Sequence, residues 1–144
     1  MSRIAGLDLG TKTLGIAISD PTNLIATGIE TIHFKENHFN QALDRLEEII
    51  KKYDVNLIVI GLPRHMNGDI GEAGQRVLAF KSKIEERFKI KVETSDERWT
   101  SIIANKVLLE ADLSRKKRKQ IIDKMAAREI LQNYLDQLKN REEL

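Results

Sequence analysis

The chain contains no cysteine. That excludes disulfides and thiolate metal sites, and it fits a reducing compartment. Proline occurs only at Pro21 and Pro63, and no linker rich in proline, glycine or serine divides the 144 residues. One domain over residues 1–144 is expected, long enough to bury a sizeable core. Long apolar runs are also missing, so no segment is expected to span a bilayer. The N-terminus lacks the basic region, apolar core and cleavage site of a signal peptide, and a cytoplasmic protein is expected. A large excess of charge of one sign is lacking: the net charge is +2, although 32% of residues are charged. Any nucleic-acid contact must therefore come from local clustering of cations.

What the chain does have is a distinctive start. Ile4 to Leu9 and Leu14 to Ser19 are two apolar runs around a short polar turn, Gly10 to Thr13. The pattern predicts a β-hairpin with a glycine-started loop. Both runs are apolar on both faces, as in strands of a covered sheet. One acid, Asp8, interrupts the first. A carboxylate in a central strand is costly to desolvate unless a cation, a metal or hydrogen-bond donors compensate it.

A third strand is expected over about Ile25 to Phe34. A helix follows, with Phe39, Ala42, Leu43, Leu46, Ile49, Ile50 and Tyr53 on one stripe. Leu57 to Ile60 reads as a short buried strand closed by Gly61-Leu62-Pro63, then a glycine-containing loop from Arg64 to Gly74. Ala73, Val77, Phe80, Ile84 and Phe88 space as a second helix, and Ile90 to Thr94 as a weaker strand. Trp99, Ile103 and Val107 suggest a third helix. After a break near Asp112 to Ser114, a last helix carries Ile121, Ile122, Met125, Ala126, Ile130, Leu131, Tyr134, Leu135 and Leu138. The first three strands have short connections and should be antiparallel; the later two need helical crossovers and should run parallel to the first. This predicts an α/β fold, a five-stranded mixed sheet with helices on both faces, in the order of the RNase H-like fold.

Three acids stand out. Asp8 is either a buried acid paired with Lys12 or a backbone donor, or a metal ligand. Glu97, in Ser95-Asp96-Glu97-Arg98, is expected just past the last strand, where open α/β sheets place their sites; a first-turn helix acid is the other reading. Asp123 precedes Ala126, Ala127, Ile130 and Tyr134 by three, four, seven and eleven residues. That spacing puts it on the packing face of the last helix. It is either a boundary residue among cations or an acid directed at the strand ends. Carboxylates from three segments suit Mg²⁺ or Mn²⁺. Two such ions about 3.5–4 Å apart support phosphodiester cleavage.

Cations accompany them. Arg115, Lys116, Lys117, Arg118 and Lys119 fall in the expected first turns of the last helix, where the helix dipole disfavours positive charge. Phosphate contacts explain that placement better than a solvated face does. Lys12 in the hairpin turn, Arg64 after Pro63 and Arg98 beside Glu97 are further candidates for holding a nucleic-acid backbone. His65 and Asn67 fall in the same loop as Arg64. His33 and His38 carry no signal.

Taken together, the Asp8 hairpin ending Ser19-Asp20, Gly61-Leu62-Pro63 with Asn67-Gly68 and Gly71, Asp96-Glu97-Arg98, and Asp123-Lys124-Met125-Ala126-Ala127 running to Leu135 resemble the YqgF family. These bacterial proteins are related to Holliday-junction resolvases. The resemblance covers nearly the whole chain in the right order. It implies an RNase H-like nuclease with acidic positions Asp8, Glu97 and Asp123, acting on the 5′ end of the 16S ribosomal RNA precursor in ribosome biogenesis. The chain departs from the family's pattern at Thr13, where arginine is usual, at His65, where asparagine is commoner, and at Trp99-Thr100-Ser101, where Leu-Thr-Thr is usual.

Competing readings remain at this point. One is a resolvase acting on branched DNA, which implies a dimer; another is a non-catalytic nucleic-acid-binding module. The chain is expected to be a monomer or a weak homodimer. The hairpin also resembles the phosphate loop of the actin and sugar-kinase superfamily. A single lobe of this length cannot close around a nucleotide, however, and that reading leaves Asp123 unexplained.

Overall fold

The computed structural model describes residues 2–63, 70–97 and 115–142; for residues 97, 115–123 and 142 it describes the backbone. The described elements are β1 (Arg3–Leu9), β2 (Thr13–Ser19), β3 (Ala26–His33), α1 (Phe39–Tyr53), β4 (Val55–Pro63), α2 (Glu72–Phe88), β5 (Lys91–Glu97) and α3 (Arg115–Glu142). The sheet order is β3-β2-β1-β4-β5. β1 pairs antiparallel with β2, and β2 with β3; β1–β4 and β4–β5 are parallel. This is the arrangement expected from the connection lengths, and it makes β1 the central strand.

Alternation along the strands sorts the core into two layers. Ala5, Leu7, Leu9, Leu14, Ile16, Ile18, Ile58, Ile60 and Leu62 face one way, against Ala42, Leu43, Leu46 and Ile49 of α1 and Val77, Phe80 and Ile84 of α2. Ile4, Ala17, Ala26 and Val59 face the other, against Ala127, Ile130, Leu131 and Leu135 of α3. Each fully buried large side chain contributes roughly 1.5–3 kcal/mol. Arg45 of α1 docks that helix to β3 by donating two N–H groups to Glu30, at 2.8 and 2.7 Å. Those bonds, chiefly, hold the Glu30 carboxyl below its ordinary range. α1 ends at Asp54, whose left-handed backbone (φ 53) lets its N–H reach the Ile50 carbonyl. A short polar side chain tolerates that conformation.

Three boundaries differ from expectation. α2 begins at Glu72, so Gly74 lies in its first turn rather than in a loop. A β-carbon there would press on Ile70 and lie 3.0 Å from the Pro63 carbonyl oxygen, so the glycine serves close packing. β4 runs from Val55 to Pro63, longer at both ends than its apolar run. β5 extends through Glu97 instead of ending near Thr94. Its last residues are polar, but its backbone pairing with β4 continues to Pro63↔Glu97 regardless of side chain. The helix expected around Trp99, Ile103 and Val107 lies outside the described residues.

Candidate nuclease site

Asp8 sits near the C-terminal end of β1, opposite Gly15 of β2. On the other side, β1 and β4 are in register at Leu7↔Ile60, and the residues that follow are Asp8 and Gly61. Gly15 pairs in turn with Thr31, and Gly61 with Ser95. One row across the sheet therefore reads Thr31, Gly15, Asp8, Gly61, Ser95. Asp8 is half-buried, and both of its neighbours in the row lack side chains. A glycine on each side lets a ligand come close to the sheet backbone beside the carboxylate. Alternation places this row on the α3 face, because Leu7 and Ile60 belong to the α1–α2 layer.

The same argument separates Asp96 from Glu97. Asp96 pairs with Leu62, which packs in the α1–α2 layer, so position 96 belongs to that face. Position 97 belongs to the α3 face, with Asp8. It is two strands from Asp8 and two residues further along. With strands about 4.8 Å apart and a rise of about 3.3 Å per residue, the two α-carbons are roughly 12 Å apart. Two carboxylates and a shared cation can bridge such a gap. Glu97 is thus the last residue of β5, not a residue beyond it.

α3 crosses this face in close contact with the strand backbone. A β-carbon on Gly6 would lie 2.9 Å from the Ala127 carbonyl oxygen, and one on Gly28 would lie 2.9 Å from that of Lys124. The helix backbone thus rests on a glycine of β1 and a glycine of β3. Its later turns lie toward the start of β1. Gln132 accepts from the Ala26 N–H and donates to the Leu24 carbonyl, each at 2.9 Å, and Leu135 and Leu138 line a cleft with Thr22 and Leu24. Its earlier turns, with Asp123 one turn before Ala127, therefore lie toward the end of the sheet where β1 finishes, on the side of β2 and β3, where Lys124 covers Gly28. The backbone brings positions 8 and 97 to one face and one end of the sheet, and position 123 belongs to the helix that covers that face. Among the described residues no group of three or more His, Asp or Glu side chains forms a metal cluster; the side chains of Glu97 and Asp123 fall outside that description.

A family model described as "RuvX: Holliday junction resolvase" matches residues 2–137. The chain belongs to the RuvX/YqgF family. It is 50% identical over 135 residues to a protein of Oceanobacillus iheyensis named "Putative pre-16S rRNA nuclease", covering 94% of this chain and 98% of that one. A relative of the same name in Desulforamulus reducens is 47% identical over 134 residues, covering 93% and 96%. Among solved structures, a fowlpox virus resolvase in complex with Holliday junction DNA superposes with a TM-score of 0.53 at 12% identity, covering 94% of this chain and 98% of that one. At that identity the likeness speaks for the fold, which is RNase H-like.

This RuvX/YqgF chain carries its cations unevenly through the described structure. Lys12 is exposed in the β1–β2 turn, at the same edge as Asp8. Arg115, Lys116, Lys117, Arg118 and Lys119 form the first turns of α3, as expected from the sequence. Arg64, His65, Asn67 and Arg98 lie outside the described residues. The family motif that ends Ser19-Asp20 has a structural task at the far edge. The Ile4 N–H donates to Ser19 Oγ (2.9 Å), which donates to Asn23 Oδ1 (2.6 Å). Asp20 accepts from the N–H groups of Thr22, Leu24 and Ile25 and from the Thr22 hydroxyl. Those bonds, led by the Thr22 hydroxyl, hold its carboxyl far below the ordinary range. The glycines under α3, Gly6 and Gly28, are the residues that sequence reasoning missed. Their signal was present as glycine inside apolar strands, which marks close backbone approach.

Proposed function

We propose that this protein is a divalent-metal-dependent nuclease of structured nucleic acid, processing the 5′ end of the 16S ribosomal RNA precursor in the cytoplasm. The observation that carries the reading is Asp8: a half-buried acid between Gly15 and Gly61, on the face and edge shared with position 97 and the early turns of α3. The donor set fits the group. All three candidate ligands are carboxylates, which suit Mg²⁺ or Mn²⁺, and the glycine floor leaves the sheet approachable beside one of them. When bound, such ions lower the pKa of the attacking water and stabilise the leaving oxygen. The chain's own part is to hold them with Asp8, Glu97 and Asp123. Lys12, Arg64, Arg98 and the run from Arg115 to Lys119 would fix the phosphate backbone across the site.

A second reading, cleavage of branched DNA, is favoured by the description of the family model and by the resolvase fold. It requires two symmetric sites, hence a dimer, whereas the first reading works as a monomer or weak homodimer. The test is cleavage of precursor RNA and of a four-way DNA junction side by side, with Mn²⁺ and with chelator, using the wild type and Asp8→Asn. Cleavage of the RNA, lost with chelator and with Asp8→Asn while the circular dichroism spectrum is unchanged, supports the first reading. Cleavage of the junction alone supports the second. Full activity in Asp8→Asn overturns both. Binding that survives chelator without any cleavage makes the protein a binding module instead.

A further inference from the structure

We propose that Lys12, His33 and Lys35 form a second stretch of nucleic-acid interface, leading the substrate's phosphodiester backbone from the Asp8 edge across the β3 side of the sheet. The inference rests on the nuclease reading above and extends it from Lys12, which that reading uses, to His33 and Lys35, which it does not. A cleft of about 580 Å³ is lined by Lys12, His33, Phe34, Lys35, Glu36 and Gln41. It lies at the same edge as Asp8, since Lys12 follows β1 by three residues and His33, the last residue of β3, pairs with Thr13.

The backbone under these cations is fixed. The Phe34 N–H donates to the Lys12 carbonyl at 2.9 Å, which ties the segment after β3 to the hairpin turn. The Lys35 N–H donates to Gln41 Oε1 at 3.2 Å, which ties the same segment to α1. The side chains of Lys12, His33 and Lys35 are exposed, while Phe34 is buried beneath them. Among the described residues neither Lys12 nor Lys35 is in an ion pair. Arg45, Lys81 and Arg87, elsewhere on the surface, are each paired with acids. Among the described residues Glu36 is the one carboxylate lining the cleft. Two exposed lysines at one rim with a single acid leave the cleft with a positive balance that suits an anion.

The arrangement suits a chain of phosphates better than a single small anion. The Phe34 and Lys35 N–H groups are already bonded, so neither can contribute to a backbone cradle for one phosphate. What remains is two exposed lysines, Lys12 in the Asp8 turn and Lys35 two residues past β3, placed to meet phosphates of one backbone.

The experiment measures binding of a structured RNA with a single-stranded 5′ extension by fluorescence anisotropy, in EDTA, over a series of KCl concentrations. Wild type, Lys35→Ala, Lys12→Ala/Lys35→Ala and Lys139→Ala are compared. Lys139 lies at the far edge, beside Thr22 and Leu24, and serves as the charge control. Each lost phosphate contact should flatten the slope of log K against log salt by about 0.7. The expected result is one such step for Lys35→Ala, two for the double variant and none for Lys139→Ala. A Lys35→Ala slope equal to that of Lys139→Ala, with wild-type binding intact, overturns this interface and leaves the nuclease reading standing. Wild-type binding that is absent or insensitive to salt overturns both.

Discussion

Gly6 of β1 and Leu131 of α3 face each other so closely that a β-carbon on Gly6 would lie 2.6 Å from the Leu131 β-carbon. Neither partner can yield cheaply. The contact is at the root of the leucine side chain, and the Ala127 carbonyl oxygen closes the other side at 2.9 Å. Gly6→Ala must therefore lift α3 from the sheet, at a cost of about 1–3 kcal/mol. The lift would also move the early turns of the helix, which carry Asp123, away from Asp8. The expected outcome is a lower midpoint in urea denaturation together with a larger loss of cleavage than the unfolded fraction explains. Unchanged stability in Gly6→Ala would show that the helix does not rest on this strand.

The α3 contact extends to the edge of the sheet, where the Tyr134 hydroxyl hydrogen-bonds the Glu93 carboxylate. Burial first, then this bond, pushes the Tyr134 hydroxyl up to about 12 from the ordinary 10.0. The bond also holds Glu93 below its ordinary 4.5. The two shifts share one hydrogen bond and count once. For Tyr134, with its folded value raised, the stabilisation is whole below pH 10 and is lost as pH rises toward 12. For Glu93, with its folded value lowered, it is whole above about pH 4.5 and is lost as pH falls below. Tyr134→Phe should cost about 1 kcal/mol near neutrality. It should also flatten the decline in melting temperature between pH 10 and 12. Wild-type and variant melting curves of the same pH profile would rule the bond out.

How far these features could be read from the chain varies with the physics behind them. The sheet order followed from connection lengths, because short links force antiparallel neighbours and helical crossovers force parallel ones. Asp8 was visible because an acid inside an apolar run is a conspicuous cost. The sequence places Glu97 just past β5 because Thr94, Ser95 and Asp96 carry no apolar alternation, and the pairing that holds them in the strand is made by the backbone. Gly6 and Gly28 inside apolar strands signal a close backbone approach, but what approaches them, and the packing of Gly74 on Ile70, shows only once the helices are in place. The β3 register was equally hidden. A shift between Ile16 and Ala17 leaves Ile29 without a partner on β2, and no residue type announces it.

Asp20 gives an acid-side prediction at the edge far from the site. Its carboxylate gathers the N–H groups of Thr22, Leu24 and Ile25 and the Thr22 hydroxyl, and its pKa is depressed as a result. A depressed carboxylate stabilises the fold above its ordinary 3.8, and that contribution is lost as pH falls below it. Asp20→Ala should therefore lower the melting temperature at pH 7 more than at pH 3, where the wild type has begun to lose the same contribution. Cleavage measured well below the melting temperature should be unchanged, because the loop sits at the opposite edge from Asp8. An equal drop at both pH values would mean that the loop is held by something other than the ionised carboxylate.

The sharpest test of the proposed site is the choice between two adjacent acids. Leu62↔Asp96 and Pro63↔Glu97 assign position 96 to the α1–α2 face and position 97 to the face of Asp8 and α3. Only one of them can share a cation with Asp8. Removing a metal ligand should cost more than the roughly 10–100-fold typical of groups that merely orient ligands. Glu97→Gln is therefore expected to lower the Mn²⁺-dependent cleavage rate by more than about 100-fold, and Asp96→Asn to leave it within a few-fold of wild type. Isothermal titration with Mn²⁺ should show the same split, with heat lost in Glu97→Gln and kept in Asp96→Asn. Because Glu97 is the last residue of an edge strand, the exchange to glutamine should leave the fold intact, which a urea titration checks. The reverse pattern, with Asp96 essential and Glu97 dispensable, would mean that the reacting phosphate approaches the other face of the sheet, and the site proposed around Asp8 would have to be abandoned.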